Sequence, residues 1–126
     1  MQTLRLYRVL IFIQGSYTLL TAVWALIDID SFMLVTGPKS DIWLVKTVAV
    51  VLISVGLSLL ASFKKFSLTA VILGFTTALG LACIDFYYTS QQVIKWVYAI
   101  DGVIEIIFSI GWLIVLVRTA NRNHIL

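Results

Sequence analysis

Residues 96–117 read WVYAIDGVIEIIFSIGWLIVLV, and this stretch decides the fold class. As a helix it would rise about 33 Å at about 1.5 Å per residue, enough to cross a hydrocarbon core about 30 Å thick. Asp101 and Glu105 are its only charges. The run is far too long for a barrel strand, which needs about 9–11 residues. Working outward, comparable runs cover residues 67–88, 42–62 and 4–27. Composition agrees. Of 126 residues, 61% are hydrophobic and only 12% are charged, with a mean hydropathy of +1.06. A soluble domain is about half apolar and about a quarter charged, and a disordered chain is more polar still. The expectation is an all-α, integral membrane four-helix bundle forming a single domain over residues 1–126.

The segments between the spans are short. Asp28 to Asp41 reads as a polar loop turning at Gly37-Pro38, with an apolar centre, Phe32-Met33-Leu34-Val35, that dips towards the interface. Phe63-Lys64-Lys65-Phe66 is a tight connection. Arg118 and Arg122 open a short polar tail, and Thr89-Ser90-Gln91-Gln92 precedes the last span. A removable signal peptide is the rival reading of the first span. Gln14-Gly15-Ser16-Tyr17 interrupts its apolar centre, and Val23-Trp24-Ala25 is a poor cleavage site, so the span is read as retained.

Charge sets the expected orientation. With the N-terminus inside, the cytoplasmic face holds Arg5, Arg8, Lys64, Lys65, Arg118 and Arg122, and no acid. The opposite side holds Lys39, Lys46, Lys95 and all the acids: Asp28, Asp30, Asp41, Asp85, Asp101 and Glu105. The positive-inside rule counts Lys and Arg, so both termini belong in the cytoplasm. Trp24, Trp43 and Trp96 then fall at the outer boundary, where indole rings are enriched. The formal net charge of +3 is therefore a topology signal and a contact for anionic lipid, with no nucleic acid partner implied. The expected compartment is a bacterial inner (cytoplasmic) membrane, crossed several times.

Some charges fall inside the spans. Counted from the outer ends, Asp85 lies roughly 5 Å deep, Lys46 roughly 6 Å, Asp101 roughly 8 Å and Glu105 roughly 14 Å. A charge near the bilayer centre costs about 2.5–3.5 kcal/mol even on the lenient insertion scale, so these residues should face protein and find partners. Tyr98, Asp101, Glu105, Phe108 and Trp112 share a helix face by their 3-4-3-4 spacing. Gly74, Ala78, Leu81 and Asp85 share another, and Gln14, Thr18, Thr21 and Ala25 a third. Lys46 is expected to pair with Asp101 or Asp85. One ammonium against three carboxylates leaves a formal −2, so at least one carboxyl should be neutral, Glu105 first, or a cation should be present. Tyr98, Trp43 and Trp96 offer π faces to such a cation.

Other chemistry is sparse. His124 is the single histidine and lies in the tail, so no His-based metal set exists and no metal or cofactor is expected. Cys83 is the single cysteine, read as a small buried hydrophobe without a disulfide partner. The serines lack a histidine base and read as bonded back to helix carbonyls.

On these landmarks the chain resembles the DoxX-like group of small four-helix bacterial membrane proteins. The points of likeness are Arg5-Leu6-Tyr7-Arg8, Gly15, the loop Asp30-Ser31-Phe32 to Gly37, Lys46, Gly56-Leu57, Asp85 and the Asp101/Glu105 pair. Lys46 stands where that group would have arginine. The resemblance implies an architecture more than an activity. The expected function is to bind or carry a small amphipathic or cationic compound at an outward-facing intramembrane polar site, with proton linkage. Glu105, Asp101, Lys46, Asp85, Gln14 and Tyr98 are its expected residues. Two alternatives stand beside it: a membrane enzyme using the carboxylates as acid and base on a lipophilic substrate, and a structural subunit or assembly factor without a ligand. The expected partners are the lipid bilayer, the small ligand and a second copy of the chain as a homodimer.

Overall fold

A computed structural model describes residues 2–125, with side chains as far as Arg122. The described chain is all helical: α1 (Gln2–Ile27), α2 (Ile29–Thr36), α3 (Ile42–Ala61), α4 (Leu68–Ser90) and α5 (Val97–Ile125). Four of these are long and apolar enough to cross a membrane, which is the pattern of a multi-pass membrane protein. α1 packs chiefly against α3, and α4 against α5, while α1 also lies along α5. α3 and α4 meet only sparsely, and that gap matters below.

Small residues allow the two close pairings. A Cβ placed on Gly56 of α3 would come within 3.0 Å of the Gly15 carbonyl oxygen of α1. One placed on Gly74 of α4 would stand 2.6 Å from the Trp112 ring of α5. Backbone approach of this kind is how apolar helices gain contact where no hydrophobic effect drives them together. Tyr7, fully buried in α1, pins the far turn: its hydroxyl donates to the Ser62 carbonyl at 2.8 Å and accepts from the Ser67 amide at 3.2 Å. Ser67 in turn caps α4, its hydroxyl accepting from the Ala70 amide at 3.2 Å.

Three expectations need correction here. The stretch from Asp28 to Asp41 is not all loop, because it contains α2. The Asp28 side chain accepts from the Ser31 amide at 3.2 Å as an N-cap, and Asp30 in the first turn suits the helix dipole. Phe32 and Thr36, one turn apart, are buried, and the helix stops at Gly37 (φ +99°), ahead of Pro38. The expected polar tail from Arg118 continues α5 as far as Ile125, and the side chain of His124 lies outside the described residues. Cys83 is exposed on α4 rather than buried, since α4 turns Ala78, Ala82 and Asp85 inward.

The buried side chains divide into two groups. Tyr7, Leu10, Ile11, Leu59, Val71, Phe108, Trp112 and Val115 form the larger one, towards the α3–α4 turn. Ala22, Ala25, Phe32 and Ala49 form the smaller, beneath α2. The acids of the spans lie around the smaller group.

Candidate functional site

A cavity of about 340 Å³ lies between α1, α3, α4 and α5 at the α2 end of the molecule. Its walls are mostly aliphatic, from Ala22, Val45, Ala49, Leu52 and Leu81 among others. Its polar groups are few and come from separate elements: Tyr17, Thr18 and Thr21 from α1, Asp85 from α4, Tyr98, Asp101 and Glu105 from α5, and Lys39 from the loop after α2. An apolar hollow with a few convergent polar groups is the usual form of a small-molecule site.

The carboxyls are placed by helix geometry. Asp101 and Glu105 stand one turn apart on α5, and Gly102 between them lets α4 approach. A Cβ on Gly102 would come within 3.0 Å of the Phe86 ring and 3.3 Å of Asp85 Cβ. Asp85 is thereby brought up beside Asp101 and Glu105 at the cavity. Two like-charged groups that close hold together only with a proton on one of them or a cation between them. The Tyr17 hydroxyl donates to Asp101 Oδ1. Asp85 and Glu105 are 4% and 1% exposed, and among the described residues no donor reaches Asp85 Oδ2 or Glu105 Oε2. Buried polar atoms are rarely left so, and each such orphan calls for an explanation.

The expected residues divide sharply. Asp85, Asp101, Glu105 and Tyr98 come together at the cavity. Gln14 does not. It lies below, fully buried, its amide donating to the Gly74 carbonyl at 3.0 Å while its oxygen accepts from Trp112 Nε1 at 2.5 Å. Both ends are satisfied, so Gln14 joins α1 to α4 and α5 as a structural link. Lys46 does not either. It is exposed, and among the described residues it makes no ion pair with Asp85 or Asp101. At about 100° per residue, Lys46 lies about 160° round α3 from Val48, beyond the side that meets α1. The cation at the cavity is Lys39. Its Nζ donates to the Thr36 and Gly37 carbonyls, each at 3.1 Å, and sits 5.0 Å above the Tyr98 ring. Trp43 and Trp96, expected to offer π faces, are 67% and 64% exposed and do not line the cavity.

Sequence reasoning missed Tyr17 and Lys39. Tyr17 sits beside Thr18 and one turn before Thr21, a polar patch in mid-span that the stripe through Gln14 and Thr18 already touched. Lys39 had no such signal, because only the chain reversal after α2 brings it back over α5. No group of three or more His, Cys, Asp or Glu among the described residues is disposed to hold a metal ion. Comparison with protein-family models, curated proteins and solved structures finds no match to this chain.

Proposed function

We propose that this chain is a four-span protein of a bacterial inner membrane, of the DoxX-like kind, with both termini and the α3–α4 turn in the cytoplasm. Its cavity binds or carries a small amphipathic or cationic compound, with proton linkage through Asp85, Asp101 and Glu105. The orientation rests on the six-to-three bias of basic residues, and it puts the cavity in the outer half of the membrane. The single observation that carries the functional reading is that Asp85 and Glu105, both of the cavity wall, each keep one buried carboxyl oxygen, Oδ2 and Oε2, without a donor among the described residues. Three carboxyls face one ammonium there, and Lys39 gives two of its three N–H bonds to backbone carbonyls. An incoming cation supplies what the chain lacks, and on arrival it displaces the proton that otherwise keeps Asp85 and Asp101 together. That exchange is the proton linkage.

The test is binding of octylamine and of octanol, equal in chain length, to the protein in phosphatidylcholine nanodiscs. Octylamine should bind saturably and at least about tenfold more tightly than octanol, whose O–H donates without a charge, with Glu105→Gln and Asp101→Asn each weakening the amine. Equal binding of both, or none by either, refutes the reading.

A further inference from the structure

The cavity is not symmetrical in what surrounds it, and its surroundings restrict both the ligand and its way in. The end towards α2 is covered. Phe32, 8% exposed, and Lys39 line it there, and α2 is held to α1 by Trp24, whose Nε1 donates to Ser31 Oγ at 2.8 Å and whose ring packs edge-on to Phe32 at 5.3 Å. The side between α3 and α4 is different. These helices meet sparsely, and the lining residues on that side are exposed aliphatics: Val48 at 52%, Leu44 at 44% and Ile84 at 52%. On a membrane-spanning helix such side chains face lipid tails. The cavity's rim is therefore apolar and lateral.

The polar end of the cavity restricts the headgroup. Asp85 Oδ2 and Glu105 Oε2 are acceptors, so the group that satisfies them must bring hydrogens on nitrogen or oxygen. A quaternary ammonium has none. It is recognised instead through aromatic faces, and of the rings lining the cavity Tyr98 already lies under the Lys39 ammonium, while Tyr17 packs edge-on with Phe108 and Phe32 with Trp24. A phosphate is repelled by the same three carboxyls. Volume restricts the rest: at about 30 Å³ per water-sized group, a cavity of this size holds roughly eleven such groups. That is room for an octyl chain with its amine and little more, and far less than a two-chain phospholipid.

We propose that the ligand is a single-chain primary alkylammonium that enters sideways from the bilayer between Val48 of α3 and Ile84 of α4, donating N–H bonds to Asp85 and Glu105. This rests on the functional reading above and adds to it the headgroup, the chain and the route. A chain longer than the cavity trails out through the same gap into lipid.

Chain length separates the new claims from the reading beneath them. Tritiated octylamine bound to the protein in phosphatidylcholine nanodiscs is displaced in turn by hexadecylamine and by octyltrimethylammonium. Hexadecylamine should displace it, and octyltrimethylammonium should compete at least about tenfold more weakly, since charge-assisted hydrogen bonds are the strong ones. Val48→Trp with Ile84→Trp narrows the rim without touching the carboxyls, at two positions each 52% exposed. That variant should slow octylamine association by about tenfold or more and weaken hexadecylamine binding by about tenfold or more, while its unfolding in mixed micelles matches that of the unaltered protein. Equal potency of the trimethylammonium overturns the headgroup, and unchanged hexadecylamine binding in the rim variant overturns the route. Displacement by phosphatidylethanolamine added to the nanodiscs overturns the single chain. All three leave the functional reading standing, whereas absence of octylamine binding to the unaltered protein removes both.

Discussion

Replacing Gln14 by leucine asks whether that residue holds the helices together or serves the cavity. In the structure Gln14 is fully buried, accepts from Trp112 Nε1 and donates to the Gly74 carbonyl. Leucine has nearly the same volume, so little cavity is created. The Gly74 carbonyl still receives its own helical bond one turn along, and its loss is small. The Trp112 N–H is another matter, because Trp112 is 0% exposed and no other acceptor for it is recorded among the described residues. A buried donor left without a partner costs about 1–3 kcal/mol. Interhelical hydrogen bonds in membranes average about 0.6 kcal/mol, because the unfolded reference state also finds partners. The indole of Trp112 sits against Gly74 with no room for water, so the expected loss is about 1–2 kcal/mol. The assay is equilibrium unfolding in mixed micelles, carried out as a cycle with Trp112→Phe, which deletes the donor. In that background Gln14→Leu should cost about 1–2 kcal/mol less than in the unaltered protein, the coupling expected of neighbours that share a hydrogen bond. Octylamine binding should be unaffected by Gln14→Leu. Unchanged stability together with lost binding would return Gln14 to the ligand site and refute the reasoning.

Two further outcomes are expected. Lys46→Met should change unfolding stability by no more than about 0.5 kcal/mol, as for an exposed residue without a partner, and a loss of about 3–5 kcal/mol would reveal the buried ion pair that the helix packing rules out. With Cys83 replaced by serine, because it is exposed, a cysteine at Ser40 should react with an impermeant maleimide added outside whole cells and one at Lys64 should not; the reverse pattern inverts the orientation.

The long apolar runs and the charge count were legible because they depend on quantities summed along the chain. Helix length against bilayer thickness needs no knowledge of neighbours. The 3-4 spacing of Tyr98, Asp101 and Glu105 was legible for the same reason, since a helix places residues on a face by local geometry alone. α2 was legible in part: Asp28 and the Gly37-Pro38 stop were visible, but eight residues are too few to declare a helix without the Trp24 and Phe32 contact that steadies it.

Which faces meet was decided only by tertiary packing. Lys46 and Asp101 have similar depth, and depth alone suggested a pair, but the Gly15–Gly56 approach fixes how α3 is rotated and turns Lys46 outward. Gln14 and Thr18 lie on one stripe, yet Trp112 fits against Gly74 at the level of Gln14 and claims it for the core, leaving Tyr17 to reach Asp101 above. Lys39 reaches the cavity because the chain reverses after α2, a long-range consequence that no local pattern carries. Sequence thus settles what each helix must hide from lipid, and packing settles what it is hidden against, because the rotation of a helix about its own axis is set by the side chains of its neighbours.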